Sequence, residues 1–107
     1  YWDFDDAAIP NAPRDSSAAA ITASALLELA GFSDKATAQK YRDFATAQLR
    51  SLASPAYLAA TGENGGFLLK HATGHKPAGK EIDVPLNYAD YYFLEALLRL
   101  KAASATH

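Results

Sequence analysis

The first run of hydrophobic positions, residues 15–30, predicts a helix that is apolar on nearly every face, because alanines and leucines dominate it. Asp15 or Ser16 can cap its start, since a side-chain oxygen there accepts a hydrogen bond from a free backbone N–H. Gly31 follows the run. We expect a left-handed glycine at that position, with Phe32 packed back on the last turn.

The second run, residues 34–53, predicts an amphipathic helix. Its hydrophobic residues fall at i, i+3, i+4, i+8 and i+11, which is one stripe of a 3.6-residue period, and its charged residues lie mostly off that stripe. Ser54 and Pro55 end the helix, because proline disfavours helical geometry in the residue before it. The predicted stripe consists of Tyr41, Phe44, Ala45, Leu49 and Leu52.

The third run, residues 88–103, again has few polar interruptions before its last turn. Asn87 can cap it, and Asp90 in the first turn suits the positive end of the helix dipole. Two helices without a solvent face cannot cover each other fully, since a small domain buries only about 60% of its unfolded surface. The pattern therefore predicts an all-α fold in which amphipathic outer helices ring apolar inner helices, as in an α/α toroid.

The remaining segments are predicted to be irregular. Glycines signal turns after the second helix, residues 67–70 can form a short strand, and residues 74–79 form a loop. Residues 1–14 contain two prolines and are expected to be extended, while the tail at 104–107 is expected to be frayed.

Composition narrows the class of protein. The 107 residues allow one domain, and 50% of them are hydrophobic, so the chain is predicted to be globular. A net charge of −2 lacks the basic excess that nucleic-acid and anionic-membrane binders need, and no apolar run reaches the roughly 20 residues of a membrane span. Without cysteine there is no disulfide or cysteine-based zinc site. The chain also lacks methionine, and we expect it to be one piece of a larger protein.

Residues that can carry chemistry are concentrated before the first helix, in YWDFDDAAIPNAPRDSS. Trp2 can stack on a sugar ring, and Arg14 can pair with a carboxylate through two parallel hydrogen bonds. Ser16 can help to bind an anion through its hydroxyl and the free amides of the helix start. In the structural alternative, Trp2 anchors the loop, Asp15 caps the helix and Arg14 pairs with a neighbouring aspartate.

A second cluster precedes the third helix. His71 and His75 lie four residues apart, but glycines and a proline disfavour a helix there and no third ligand is evident, so we predict a solvated or site-rimming loop and no zinc. Asn87 and Tyr88 follow, although tyrosines grouped in this way are more often core residues than catalytic ones. Both clusters enter an inner-type helix at its N-terminus. If those helices run parallel, the two loops lie at one end and can rim one cavity.

Two long segments resemble glycoside hydrolase family 88, the unsaturated glucuronyl hydrolases. They are WDFDDAAIPNAPRDSSAAAITASALLEL and GHKPAGKEIDVPLNYADYYFLEALLRL, and they occur in the family's order. The resemblance is to the C-terminal part of the family. It implies that residues 1–107 are the C-terminal fragment of a single (α/α)6-barrel catalytic domain, with three main helices and long irregular loops. Unsaturated rhamnogalacturonyl hydrolases share the toroid and are the nearest alternative.

The resemblance also implies an activity. The family removes 4,5-unsaturated glucuronic acid from the non-reducing end of lyase-generated oligosaccharides. An aspartic acid protonates C4, water adds at C5, and the resulting hemiketal opens to expel the leaving sugar, with no metal or other cofactor. The family's catalytic aspartates lie in the earlier two-thirds of its chain, so we expect no catalytic residue here and no turnover by this piece alone. In the family, this part of the chain lines the mouth of the cavity and contributes to recognition of the leaving sugar. The resemblance therefore implies substrate-binding roles for Trp2, Arg14, Asp15, Ser16, Asn87 and Tyr88.

Two hypotheses of another class remain open. The chain can be a helical interaction module whose apolar helices dock a partner, or a sugar-binding domain without catalysis. The expected partners are therefore an unsaturated oligosaccharide and the remainder of a parent chain, and neither nucleic acid nor membrane is expected. The resemblance fixes neither the polysaccharide nor the compartment.

Overall fold

The computed structural model describes residues 1–105, and within them the chain is all-α. The bounds predicted for the first two helices agree with those observed to within one residue. The third helix ends later than predicted, while Thr106 and His107 of the predicted frayed tail lie outside the described residues. The helices are α1 (Ser16–Ala30), α2 (Lys35–Leu52) and α3 (Asn87–Ala105), and two 3₁₀ turns lie at Asn64–Gly66 and Lys76–Ala78.

Aspartate side chains cap the starts of α1 and α2. The Asp15 carboxylate accepts the Ser17 N–H at 3.1 Å, which confirms the predicted cap. The Asp34 carboxylate accepts both the N–H of Thr37 (3.0 Å) and its hydroxyl (2.7 Å). The backbone hydrogen bond and then the hydroxyl hold the pKa of Asp34 below its ordinary value.

The start of α3 differs slightly from the prediction. Asn87 is the first helical residue rather than the cap, since the Leu86 carbonyl already accepts a hydrogen bond from the first turn. Asp90 lies in that turn as predicted, where its two carboxylate oxygens accept the N–H groups of Leu68 (2.8 Å) and Leu69 (3.0 Å). Asp90 therefore fastens the preceding irregular segment to the start of α3.

The end of α1 contradicts the prediction. Gly31 has a φ of −67° and a ψ of −17°, which is right-handed geometry, and Phe32 is 84% exposed instead of packed on the last turn. The N–H groups of Gly31, Phe32 and Ser33 each donate to the carbonyl three residues earlier. These hydrogen bonds to the third residue back satisfy the last carbonyls of α1 without a left-handed residue. The chain therefore does not turn back toward α1, and Phe32 does not pack on its last turn.

Helix α1 packs against both other helices, and α1 and α3 run parallel. Ser24 of α1 contacts Glu95 of α3, and one turn further along both helices Glu28 contacts Arg99. Helix α2 returns antiparallel after a short turn, so that its last residues lie beside the start of α1. This arrangement supplies the parallel inner pair and the outer helix that the hydrophobic patterns predict.

Alanines make up much of the buried surface of the parallel helices. Ala20 and Ala23 of α1 and Ala89 and Ala96 of α3 have no exposed surface, and we call these four residues the alanine seam. The distance between packed helices depends on the side chains at their contact, so methyl groups allow a close approach. The rest of the core lies around the seam and consists of Ala45, Leu49, Leu52, Leu69, Ala72, Leu86 and Phe93.

The predicted stripe of α2 is confirmed in part. Ala45, Leu49 and Leu52 are buried, whereas Phe44 is 57% exposed. Ala38 completes the buried face instead. Phe44 precedes Ala45 by one residue and therefore lies about 100° around the helix from it, outside the arc that faces α1.

Helices α1 and α3 keep much of their apolar circumference uncovered within residues 1–105. Leu29 on α1 is exposed, as are Tyr91, Leu94 and Leu98 on α3. A helix that is apolar all round belongs in a protein interior. The exposed surfaces therefore agree with the expectation that protein outside this segment covers them. None of the helices described combines the length and apolar character that a membrane span requires.

The segment between α2 and α3 contains only isolated bridges among the residues described. The predicted strand at 67–70 is reduced to one antiparallel bridge, Leu58 with Leu69. His71, Glu81 and Asp83 have φ values of 62°, 51° and 53°. Left-handed residues cannot continue a strand, so they confine the pairing to single bridges.

A polar network crosses the contact between α1 and α3. Ser24 is 1% exposed, and its hydroxyl donates to the Glu95 carboxylate at 2.6 Å. The Arg99 guanidinium donates to both the carbonyl and the hydroxyl oxygen of Ser24, each at 2.9 Å. It also forms ion pairs with Glu95 (3.1 Å) and Glu28 (3.3 Å). We call these four residues the Ser24–Arg99 network.

The network predicts a pH dependence of stability. The Ser24 hydrogen bond, followed by the Arg99 charge, holds the pKa of Glu95 below its ordinary 4.5. Because the folded chain binds this proton less tightly than the unfolded chain, the contribution of Glu95 is fully present above pH 4.5 and is lost as the pH falls through the lowered pKa. We expect the free energy of unfolding, measured by urea denaturation between pH 3 and pH 7, to fall less steeply on acidification for Glu95→Gln than for the wild type. The exposed Glu63→Gln is the control and should behave like the wild type. The same fall for Glu95→Gln and the wild type would refute the prediction.

Candidate functional site

The two loops meet at the N-terminal ends of α1 and α3. The Thr73 hydroxyl donates to the Arg14 carbonyl (2.8 Å), and the Thr73 N–H donates to the Asp15 carboxylate (3.1 Å). The Ser16 N–H donates to the His71 carbonyl at 2.9 Å. The expectation that both loops lie at one end of a parallel helix pair is therefore confirmed.

Asp15 joins the two loops as well as capping α1. One of its carboxylate oxygens accepts the N–H and the hydroxyl of Ser17 and the N–H of Thr73. The structural alternative for Asp15, that of a helix cap, is thus realised. Asp15 also lines a cavity beside the start of α1, so capping leaves part of the residue facing open space.

Trp2 lies half-buried between the loops. Its indole N–H donates to the Asp6 carboxylate at 2.6 Å, and the Lys76 ammonium lies 4.9 Å from the centroid of its ring. The N–H of Ala8 and then the indole N–H hold the pKa of Asp6 below its ordinary value. Trp2 therefore connects the N-terminal segment to the loop that precedes α3.

Tyr88 packs on the same loop, opposite Gly74. A Cβ at position 74 would lie 3.0 Å from the Tyr88 hydroxyl and 2.1 Å from a Glu81 carboxylate oxygen, so a larger residue there would displace the Glu81 side chain. Burial, and then the charges of Glu81 and Asp15, raise the pKa of the Tyr88 phenol. Asn87 is exposed at the first position of α3.

His71 and Asp83 form a pair that the sequence did not predict. Imidazole Nδ1 lies 2.5 Å from Asp83 Oδ1, and the Tyr57 ring meets the imidazole edge-on at a centroid distance of 6.0 Å. Both members have left-handed backbones, a conformation that non-glycine residues adopt infrequently. Within the described chain, no group of three or more His, Asp or Glu side chains could hold a metal ion.

Two adjoining cavities open beside the start of α1. The first, of about 120 Å³, is lined by Arg14, Asp15, Ser16, Gln48 and Tyr57, among others. The second, of about 160 Å³, has four wall residues in common with the first and extends to Phe4 and Thr22. The shared residues are Tyr1, Asp15, Ala19 and Gln48, and we call the two cavities together the α1 groove.

The predicted binding residues divide into two groups. Arg14, Asp15 and Ser16 lie together on the wall of the α1 groove, whereas Trp2, Asn87 and Tyr88 are not among the residues that line it. Residues of α2 line the groove and none of residues 71–88 does, so the prediction that the two loops rim one cavity is wrong for this groove. Gln48 and Tyr57 belong to its wall but were not predicted, because a single glutamine on an outer helix and a tyrosine after it carry no motif.

Known proteins match this chain over nearly its whole length. It is 54% identical, over 92% of its residues, to an unsaturated glucuronyl hydrolase of Formosa agariphila, and 39% identical, over 94%, to one of Bacillus sp. strain GL1. The crystal structure of an unsaturated glucuronyl hydrolase specific for heparin superposes on 97% of the chain with a TM-score of 0.92 at 50% identity. The chain matches a segment of the unsaturated glucuronyl hydrolases in both sequence and fold. No family model matches the sequence.

The match covers only part of each unsaturated glucuronyl hydrolase. The chain spans 24% and 27% of the two sequence relatives and 28% of the solved structure. This partial coverage agrees with the expected resemblance to one portion of the family, which the motifs identify as the C-terminal one. The three helices are accordingly helices of the toroid that these hydrolases form.

Proposed function

We propose that the chain is part of a glycosidase that releases 4,5-unsaturated glucuronic acid from the non-reducing end of lyase-generated oligosaccharides by hydrating the vinyl-ether double bond. The similarity of nearly the whole chain to unsaturated glucuronyl hydrolases supports this function. In this proposal the 107 residues belong to a single (α/α)6 catalytic domain. The uncovered apolar faces of α1 and α3 then pack against its other helices.

The role that we propose for this segment is substrate recognition rather than proton transfer. None of its aspartates lies in a motif of the family's catalytic acid. Asp15 caps α1 and accepts a hydrogen bond from Thr73 of the second loop. The ends of α1 and α3 present aromatic rings, hydroxyls and an arginine, which are groups that hold a sugar without reacting with it. The structure of an unsaturated glucuronyl hydrolase variant with dGlcA-Glc-Rha-Glc matches the same chain at a TM-score of 0.83, and it supports oligosaccharide binding by a protein that contains this segment. The proposed binding residues are Trp2, Arg14, Asp15, Ser16, Asn87 and Tyr88.

The test measures turnover by the purified chain and by a longer protein that contains it. Absorbance of the conjugated double bond of an unsaturated chondroitin disaccharide reports the reaction. We expect no loss of absorbance with the 107-residue chain and a steady loss with the longer protein. Turnover by the chain alone would contradict the proposal that its catalytic acid lies elsewhere.

The same assay separates the alternatives. A longer protein that acts only on unsaturated rhamnogalacturonan disaccharides would point to the neighbouring hydrolase class. Saturable binding of unsaturated uronides without any change in absorbance would indicate a sugar-binding domain. The absence of both binding and turnover would favour an interaction module. Each of these three results would overturn the proposed activity.

A further inference from the structure

Helices α1 and α3 each carry an exposed apolar patch that contains a single charged residue. Glu28 lies in the patch on α1, and Glu95 lies in the patch on α3. Both carboxylates form ion pairs with the Arg99 guanidinium, so both patches border the Ser24–Arg99 network. We call them together the α1–α3 face, and its apolar residues are Ala25, Leu29, Phe32, Tyr91, Leu94 and Leu98.

The charges on this face do not balance. Two carboxylates share one guanidinium, and no second cation of residues 1–105 forms an ion pair with either of them. Glu95 also accepts the Ser24 hydroxyl, and its side chain is 26% exposed. The Glu28 carboxylate has the 3.3 Å ion pair with Arg99 as its one polar contact in the described chain, and its side chain is 60% exposed. Water therefore solvates most of the Glu28 carboxylate, and the face carries one negative charge in excess.

Covering the apolar residues would remove that water. Leu29 and Phe32 are exposed, and they line the same patch as Glu28. A protein segment that packs on them therefore takes Glu28 out of water as well. Burial of the apolar side chains is favourable, but a carboxylate that loses its water without gaining a matching cation is strongly unfavourable. The chain spans between 24% and 28% of the length of its relatives, so most of the proposed longer protein lies outside it.

We propose that the α1–α3 face docks a helix of the same longer protein, and that this helix presents a lysine or arginine to the Glu28 carboxylate. Two cations then balance the two carboxylates of the network. Neutral donors such as hydroxyl or backbone N–H groups can bond to the Glu28 oxygens, but they would leave one uncompensated charge among leucine and aromatic side chains. The presence of a covering helix rests on the proposed function, whereas the charge that it carries follows from the network itself.

Replacing Glu28 by glutamine in the longer protein tests this pairing, because the result depends on the incoming residue. If a cation faces Glu28, the substitution leaves that cation buried and unpaired, and we expect the thermal midpoint to fall by about 5–10 °C. If no cation faces it, the substitution removes the excess negative charge and loses only the partly exposed ion pair with Arg99. The midpoint would then rise or fall by no more than about 3 °C, and that result would overturn the proposal.

Glu63→Gln is the matched control, since Glu63 is an exposed glutamate outside the helices, and its midpoint should equal that of the wild type. A crystal structure of the longer protein is the second measurement. We expect a lysine or arginine nitrogen from outside residues 1–107 to lie within about 4 Å of the Glu28 carboxylate. A Glu28 carboxylate that stays in solvent, meets only neutral donors or pairs with a second copy of the protein would overturn the docking site.

Failure of this docking site is distinguishable from failure of the proposed function. Turnover of the unsaturated disaccharide by the longer protein is measured separately from its thermal midpoint. A longer protein that consumes the double bond but is indifferent to Glu28→Gln would retain the hydrolase and exclude the docked cation. One that leaves the double bond intact but is destabilised by Glu28→Gln, and not by Glu63→Gln, would retain the docked cation and exclude the hydrolase.

Discussion

Replacement of Phe93 by alanine is expected to lower the free energy of unfolding by about 3–5 kcal/mol. Phe93 is 4% exposed, whereas the other aromatic residues of the described core, Tyr57 and Tyr92, are only partly buried. Its removal leaves a cavity beside alanines, which have no side-chain atoms that could move in to fill it. Urea denaturation followed by circular dichroism measures the change. Because whole domains are stable by only about 5–15 kcal/mol, the variant should be substantially unfolded at moderate urea concentrations.

The control for this prediction is Leu98→Ala on the same helix. Leu98 is 67% exposed in this chain, so its truncation should change stability by no more than about 0.5 kcal/mol. In the proposed longer protein Leu98 packs against neighbouring helices, and the same truncation should then cost about 2–5 kcal/mol. Equal losses for Phe93→Ala and Leu98→Ala in the 107-residue chain would show that α3 packs differently from the arrangement described.

Arg99→Leu is expected to have the second-largest effect, a loss of about 2 kcal/mol. The substitution removes the donor to the carbonyl and hydroxyl of buried Ser24 and two ion pairs of the Ser24–Arg99 network. Leucine keeps part of the hydrocarbon of the arginine stem, so the loss reports mainly on the polar contacts. The measurement is again urea denaturation at neutral pH.

Two further variants make the prediction for Arg99 specific. Lys101→Leu removes an exposed cation from the same helix and should leave stability nearly unchanged. In a double-mutant cycle with Ser24→Ala, the losses from Arg99→Leu and Ser24→Ala should not add, because the two side chains share hydrogen bonds. Additive losses would mean that Arg99 does not stabilise the chain through Ser24.

The helices were predictable because local chemistry determines them. Asp15 and the run of alanines and leucines after it give both a start and a helical preference, and neither depends on distant residues. The error at Phe44 has a geometric cause: a stripe broad enough to include it is wider than the arc that α1 covers. The error at Gly31 arose because a glycine permits left-handed geometry without requiring it.

The site was less predictable because its contacts join residues that are far apart in sequence. Asp15 meets Thr73 across 58 residues, and Arg99 meets Ser24 across 75. The predicted cluster before α1 identified three of the nine residues that line one cavity, Arg14, Asp15 and Ser16. Gln48 also lines it, but it lies on α2, whose pattern indicated only a solvent face and a core face. Such residues become candidates only when burial and hydrogen bonding are known atom by atom.

The alanine seam makes the separation of the two loops a property of the helix pair rather than of the loops themselves. A methyl group has no alternative rotamers, so α1 and α3 cannot adjust their spacing by reorienting side chains between them. The starts of the two helices are thereby held at a set distance. A bulkier residue at Ala89 or Ala96 would increase the distance between the two loops, although neither residue lies in a loop.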